Sequence, residues 1–373
     1  MSLVERYPER RAALVGELVR NGVDAAIVTI GPEMPWLIGY EAMPLERITA
    51  LVVRADGTAV LVVPRLEEPR VRHRDGIDLV AWSDGQDPFE LVAALLPPTG
   101  RIAIGERGRA GWLLELQRLR PGCRFEPAGA LIGPLRRRKD PDEVAALRAA
   151  GTAADHVATA LLAGEIALVG RTEREVSRDI AERLIAAGHA RANFSIVASG
   201  PNGASPHHEP GARRIEIGDV VVCDFGGTFE VDGEPGYCSD TTRTFAVGTA
   251  PDGFASVYDA VLGAHDAAIA AIVPGIVAGE VDRIARETLV EAGYAEWFVH
   301  RLGHGIGLEE HEDPFLAPGA TTTLEVGDAF SIEPGVYLPG NFGVRIEDIV
   351  VLTEHGVERL NRSSTQRTVL EAR

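Results

Sequence analysis

Asp224, Asp240, His304, Glu333 and Glu347 place four carboxylates and one imidazole in the C-terminal half of the chain. Their segments read Val220-Val-Val-Cys-Asp-Phe-Gly-Gly, Gly236-Tyr-Cys-Ser-Asp-Thr-Thr-Arg-Thr, Gly303-His-Gly-Ile-Gly, Ser331-Ile-Glu-Pro-Gly and Val344-Arg-Ile-Glu-Asp. Each is expected at a strand or strand edge, with glycine or small residues beside it. Hard oxygen donors with a single nitrogen suit divalent ions rather than a soft-metal cluster. The apolar run before Asp224 would bury it, and a buried carboxylate is costly unless something neutralises it. Four such acids brought together would repel one another and take up protons. Two divalent ions remove that difficulty, and a pair of ions activates water against a carbonyl.

Three other patterns imitate different chemistry. Asp224-Phe-Gly resembles a kinase metal-binding triplet, but no glycine-rich loop or H-R-D segment accompanies it. Gly303-His-Gly-Ile-Gly has no βαβ unit around it and the wrong central residues for a dinucleotide loop. His300 and His304 have a zincin-like offset, yet the glutamate beside the first is missing and the glycines oppose a helix.

The elements that must position these residues form two domains, 1–133 and 134–373. In the first, helical spacing at Arg10–Val19, near Pro88–Leu96 and at Trp112–Leu119 alternates with strand signals. Those fall at Asp24–Ile30, Ile48–Val53, Ala59–Val63, Asp78–Trp82 and Arg101–Gly105. An α/β domain with a mixed sheet follows. Trp36 and Tyr40 read as packing residues. Asp140-Pro141 starts a long helix, with aspartate as cap and proline at the first helical position. Thr172 and Glu175 form a capping box that opens another helix. Strands are expected at Phe194–Ser199, Asp219–Phe225, Tyr237–Val247, Ala329–Glu333 and Gly343–Leu352, with helices at Ala255–Val273 and Val281–Ala292. A helix pair followed by strands thus occurs twice, which suggests an internal duplication.

A chain of 373 residues with 45% hydrophobic content can bury two cores. Its charge, 37 − 55 = −18, repels phosphate backbones and opposes nucleic acid as a partner. The basic run Arg136-Arg-Arg-Lys139 reads as a solvated linker face, since no aromatic residues interleave with it. Cys123, Cys223 and Cys238 cannot build a disulfide framework, and the latter two read as small buried hydrophobes. No apolar signal core follows the N-terminus, and no run long enough to span a membrane occurs. A cytoplasmic protein is expected.

Four motifs together give the chain a specific resemblance. They are Gly200-Pro-Asn-Gly-Ala-Ser-Pro-His207, Gly236-Tyr-Cys-Ser-Asp240-Thr-Thr-Arg, Arg301-Leu-Gly-His304-Gly-Ile-Gly-Leu-Glu-Glu-His311-Glu and Gly343-Val-Arg-Ile-Glu347-Asp. Over nearly its whole length the chain resembles the pita-bread metallopeptidases, which include prolidase, aminopeptidase P, methionine aminopeptidase and metal-free creatinase. It is most similar to short bacterial Xaa-Pro dipeptidases. The resemblance implies a creatinase-like α/β N-terminal domain followed by an α+β pita-bread catalytic domain. It implies two divalent ions per subunit, manganese ahead of cobalt or zinc, and a homodimer acting on short proline-containing peptides.

Carried over residue by residue, Asp224 is a terminal ligand of one ion, Asp240 and Glu347 bridge both, and His304 and Glu333 complete the second. Glu333 also shuttles the proton that proline's nitrogen needs in order to leave. His207 and His311 match histidines that donate hydrogen bonds to the substrate and the oxyanion. His208 reads as a surface residue. Arg345, two residues before Glu347 along a strand, is expected to orient the bridging carboxylates. Some members bind the dipeptide's free carboxylate through an arginine shortly after the second histidine. Here Phe315 stands at that place, and no Arg or Lys occurs between His311 and Glu333. Weak discrimination between dipeptides and longer peptides is therefore expected. Within the family the alternatives are aminopeptidase P, acting on longer peptides, and, more remotely, a C–N hydrolase or a protein-binding member.

Overall fold

The computed structural model describes residues 2–72 and 74–372. They fall into two units, Met1–Arg136 with Gly233–Pro235, and Arg137–Asp232 with Gly236–Arg373.

In the first unit, α1 (Leu3–Asn21) stops at Gly22, whose φ of 66° lies in the left-handed region. It is followed by β1 (Ala25–Val28), α2 (Glu33–Ile38), β2 (Ala50–Arg54), β3 (Ala59–Pro64) and β4 (Asp78–Trp82). Next come α3 (Pro88–Ala94), β5 (Thr99–Ile104), α4 (Ala110–Leu119), β6 (Gly122–Pro127) and α5 (Gly129–Arg137). The strands form a mixed sheet in the order β4-β3-β2-β1-β5-β6. Strand β1 runs antiparallel to β2 and parallel to β5. Its core is built from Ile27, Val52, Val62 and Ile102. Trp36 is buried beneath the Arg10 guanidinium, a packing role. The short α2 and β6 had no clear periodic signal, and α5 carries two glycines and Pro134, which mask its helical character.

The basic run is not a solvated face. Arg136 is buried beside Glu33, Arg137 donates to Asp328 at 2.9 Å, and Lys139 is buried against Glu312. Only Arg138 of the four is exposed. The acids that neutralise the run lie far away in sequence, so no local window shows them.

In the second unit, α6 (Pro141–Leu162) is capped by Asp140, whose carboxylate accepts from the Asp142 and Glu143 N–H groups. Helix α7 (Glu173–Ala186) is capped by Thr172 with Glu175 reaching back. Strands β7 (Arg191–Ser199), β8 (Val220–Val231) and β9 (Glu234–Val247) precede α8 (Phe254–Ala271) and α9 (Ala278–Glu291). Then come β10 (Gly303–Gly305), β11 (Glu312–Leu316), β12 (Ala329–Ile332), β13 (Gly335–Leu338), β14 (Phe342–Arg345), β15 (Asp348–Thr353), β16 (Gly356–Arg359) and β17 (Val369–Leu370). They assemble as β17-β9-β8-β7, β11-β10-β12-β15-β16 and the ribbon β13-β14.

Helices α6 and α7 pack on the first of these sheets through Val157, Leu161, Ile180, Val221, Phe225 and Phe245. Helices α8 and α9 pack on the others through Val261, Val281, Phe330, Val344 and Val350. Burying each such side chain contributes roughly 1.5–3 kcal/mol, which makes these two layers the main adhesive of the unit. The order of helix pair and strands repeats as the sequence suggested.

One expected strand, Gly343–Leu352, is broken. Strand β14 ends at Arg345 and β15 starts at Asp348 in a different sheet. Between them Glu347 makes an isolated antiparallel bridge to Thr242 of β9. Apolar and charged residues alternate through Val344-Arg-Ile-Glu and run on into the apolar 349–352, so the sequence looks like one strand where the chain changes sheets.

Candidate active site

The five candidate ligands come from different elements of the second unit. Asp224 lies on β8, Asp240 on β9 and His304 on β10; Glu333 directly follows β12, and Glu347 occupies the crossover after β14. Glycines beside them permit close backbone approach. A Cβ on Gly303 would stand 2.0 Å from the Ser331 carbonyl oxygen, and one on Gly343 would stand 1.9 Å from that of Gly203. Neither position accepts a side chain without displacing backbone.

All five line one cavity of 670 Å³, within the usual range for small-ligand sites. Asp240, His304 and Glu347 each present a ligand atom within 4.8 Å of the others. His304 Nε2 lies 3.2 Å from Glu333 Oε1 and 3.8 Å from Asp240 Oδ2. The other ring nitrogen, Nδ1, is 3.2 Å from the Gly305 carbonyl, a contact that fixes the ring's orientation. Ser331 Oγ supports both sides, accepting from the His304 N–H and donating to Glu333.

The electrostatics are those of an acid cluster short of positive charge. Burial, then Glu347, Asp224 and Glu333, push the Asp240 carboxyl well above the usual range. Burial, then Glu333 and Asp224, raise Glu347 likewise. For Glu333 burial pulls upward, but the His304 hydrogen bond and the charges of His304, His300 and Arg345 outweigh it and bring it down to about 2. Among the described residues, Oδ1 of Asp224 and Oδ1 of Asp240 are buried with no hydrogen-bond partner. Orphaned carboxylate oxygens amid mutual repulsion are what divalent cations would satisfy, so the residue set fits a metal centre.

Arg345 is the buried cation of the cluster. It donates to Asp224 Oδ2 at 2.5 Å, to Thr242 Oγ1 at 3.0 Å, to Tyr337 Oη at 2.8 Å and to the Pro206 carbonyl at 3.3 Å. Burial lowers its affinity for the proton, but Tyr337 and the surrounding carboxylates outweigh that and hold it well above the ordinary value. Arg345 is placed differently from the expectation that it orients the bridging carboxylates directly: it touches Asp224 and reaches Glu347 through Thr242, which donates to Glu347 Oε2 at 2.7 Å.

His207 and His311 both line the cavity and are exposed. The His311 ring stands edge-on to His304, with centroids 4.1 Å apart. Burial of its inner side, then the charges of His304 and Arg301, push His311 down to about 4, so it is neutral at pH 7. His208 is not a free surface residue. Its Nε2 lies 2.8 Å from Oε2 of Glu173, which also accepts from the Gly211 N–H, while Oε1 accepts from the Ser199 N–H and Oγ and from Asn202. Glu173 thereby gathers the loop that carries His207.

Thr242, Tyr337, His300, Glu173 and Arg301 were missed as site residues. His300 meets Tyr337 Oη at 2.9 Å and so joins the Arg345–Asp224 chain. Arg301 lines the cavity with its guanidinium over the Phe315 ring, 4.4 Å from the centroid. Thr242 lay inside a quoted motif, whereas Glu173 looked only like a helix start. The cysteines behave as expected; Cys223 and Cys238 are buried, and burial raises both thiols.

Residues 145–354, which contain every one of the candidate ligands, match the model of metallopeptidase family M24. The chain belongs to metallopeptidase family M24. Residues 10–138 match the creatinase/prolidase N-terminal domain, so this M24 chain has the two-part architecture that the motifs implied. It is 42% identical over 363 residues to "Probable dipeptidase PepE" of Mycobacterium tuberculosis, covering 96% of this chain and 95% of that protein. It is 35% identical over 369 residues to the Xaa-Pro dipeptidase of Lactobacillus delbrueckii subsp. lactis, covering 95% and 96%. The crystal structure of dipeptidase PepE from Mycobacterium ulcerans matches with a TM-score of 0.91 and 41% identity, covering 99% of each chain. As an M24 metallopeptidase the chain works with metal ions, for which the buried Asp240–His304–Glu347 group is suited. No helix among the described residues is long and apolar enough to cross a membrane.

Proposed function

We propose that this metallopeptidase is an Xaa-Pro dipeptidase that hydrolyses the peptide bond before proline in dipeptides. The observation that carries this reading is a single cavity where the acid–imidazole cluster meets two exposed histidines and a guanidinium, in a chain similar to dipeptidases along nearly its full length.

Asp224, Asp240, His304, Glu333 and Glu347 are the proposed holders of two divalent ions, manganese ahead of cobalt or zinc. When bound, such ions activate water and polarise the scissile carbonyl. Glu333 takes the proton of the attacking water and returns it to the proline nitrogen as that nitrogen leaves. A neutral His311 donates an N–H to the oxygen on which negative charge develops, and His207 donates to the substrate from the opposite loop. Arg345 fixes Asp224 and, through Thr242, Glu347. The proposal includes a 1–133 domain distinct from a catalytic 134–373 domain. The resemblance supports a homodimer, and three free cysteines suit the reducing cytoplasm.

The test is hydrolysis of Ala-Pro, Ala-Pro-Ala and longer Xaa-Pro peptides by the manganese-loaded protein. Release of proline from Ala-Pro is expected. Cleavage confined to the longer peptides would make the protein an aminopeptidase P instead, and no cleavage of any would remove the peptidase reading.

A further inference from the structure

Two of the motifs carry, beside a proposed ligand, a charge that the chemistry above does not use. Arg243 follows Asp240 by three residues, and Asp348 is next to Glu347. Both are fully buried and neither lines the cavity. They pair with each other, Arg243 donating to Asp348 Oδ1 at 2.8 Å. The same guanidinium donates to the Glu347 carbonyl at 2.6 Å, to the Thr242 carbonyl at 2.9 Å, and to the Ser363 carbonyl and Oγ at 3.0 and 2.8 Å. Arg359 and His265 also face the Asp348 carboxylate.

A second tie supports the first. Asn361, also fully buried, accepts from the Ile349 N–H at 2.7 Å and donates to Thr241 Oγ1 at 2.6 Å. Residues 361–363 therefore join the segment just after Asp240 to the segment around Glu347. Asp155 anchors them by accepting from the Arg362 and Ser363 N–H groups. Asp240 and Glu347 must lie close together to share ions, and at close range two carboxylates repel. Their backbones need a hold that does not depend on the ions. A buried guanidinium suits this, because its planar fork reaches several carbonyl groups at once while Asp348 balances its charge.

We propose that Arg243 is a positioning residue for the metal centre: through the Glu347 carbonyl and the Asp348 pair it fixes Glu347 against the strand that carries Asp240, and so sets the affinity for the ions. The proposal rests on the reading of Asp240 and Glu347 as metal ligands and deepens it, because Arg243 acts through the main chain. A buried ion pair that served stability alone would change the melting temperature and leave the folded protein's affinity for metal as it was.

The experiment titrates manganese into the metal-free, full-length protein by calorimetry, for wild type, R243K, S363A and I180A, and records the melting temperature of each with and without manganese. Lysine keeps a charge opposite Asp348 but cannot span the three carbonyl groups. S363A removes one anchor of the guanidinium, and I180A loosens the packing of α7 on its sheet, where none of these hydrogen bonds lies. R243K is expected to bind manganese about 10- to 100-fold more weakly, the usual cost of losing a partner that orients ligands. Its melting temperature should also rise less than that of wild type when manganese is added. S363A should lose a smaller part of the affinity, and I180A should melt earlier yet bind manganese as wild type does. Wild-type affinity in folded R243K, or an equal loss in I180A, would overturn the proposal. If R243K does not fold, S363A decides: weaker manganese binding supports the role of Arg243, and unchanged binding overturns it. A wild type that binds no manganese would remove the metal reading itself, and this proposal with it.

Discussion

Arg345 donates to Oδ2 of Asp224 at 2.5 Å, 121 positions apart in sequence, and leaves the other oxygen of that carboxylate without a hydrogen-bond partner. One oxygen is fixed and the second is buried and left for another partner. The same guanidinium holds Thr242, Tyr337 and the Pro206 carbonyl, and so ties β8, β9, β13 and the loop bearing His207 to one planar group. Replacement by lysine keeps the charge but loses the fork. Arg345→Lys is expected to lower metal affinity or activity by about 10- to 100-fold, the usual cost of removing a partner that orients ligands. Metal titration of the variant, followed by kinetics at saturating metal, checks which of the two changes.

Stripping metal should abolish peptidase activity and lower the melting temperature, because Asp240 and Glu347 then repel each other within a buried site. A ligand held only by the folded state at 100 times its Kd adds roughly 2.7 kcal/mol. Calorimetry with and without chelator, alongside elemental analysis, checks this. Full activity in metal-free protein would contradict it.

His304 and His311 lie in ring contact but should fail differently. His304→Ala is expected to lose at least one bound metal ion, since its Nε2 faces Glu333 and Asp240. His311→Ala should keep the metal and lose about a hundredfold or more in kcat, the scale of one oxyanion donor. Metal content per subunit separates the two outcomes.

Glu173 gives a pH-dependent prediction. Burial raises its carboxyl, but hydrogen bonds from Ser199, Asn202 and His208 outweigh this and hold it below 4.5. A carboxyl depressed in the folded state contributes stability that is present above the unfolded value and lost as pH falls through the folded one. The Tm difference between wild type and Glu173→Gln should therefore be largest near neutral pH and shrink below about pH 4. A difference independent of pH would mean that shape, and not charge, holds the loop. The variant should also lose activity, because the loop carries His207.

Gly303→Ala is expected to destabilise the protein strongly, by about 1–3 kcal/mol or more, since its methyl would meet the Ser331 carbonyl oxygen at 2.0 Å. Thermal melts check it, and loss of metal binding should accompany the change, because Ser331 supports both His304 and Glu333.

Residue types alone were enough to single out Asp224, Asp240, His304, Glu333 and Glu347, because acids inside apolar, glycine-flanked segments demand a neutralising partner. Local rules also placed the caps at Asp140 and Thr172, and the helix pairs before each group of strands, since capping and periodicity act within a few residues. Other relationships depended on the tertiary fold. The crossover at Glu347, the neutralisation of Arg136 by Glu33 and of Lys139 by Glu312, and the bond of His208 to Glu173 join groups distant in sequence. Arg301 is the clearest instance. A window after His311 finds only Phe315, whereas strand pairing sets that ring opposite His304 and beneath a guanidinium from the preceding segment. Sequence specifies which groups must be satisfied, and packing across sheets decides which partners satisfy them, because ion pairing and close approach depend on distance in space and not along the chain.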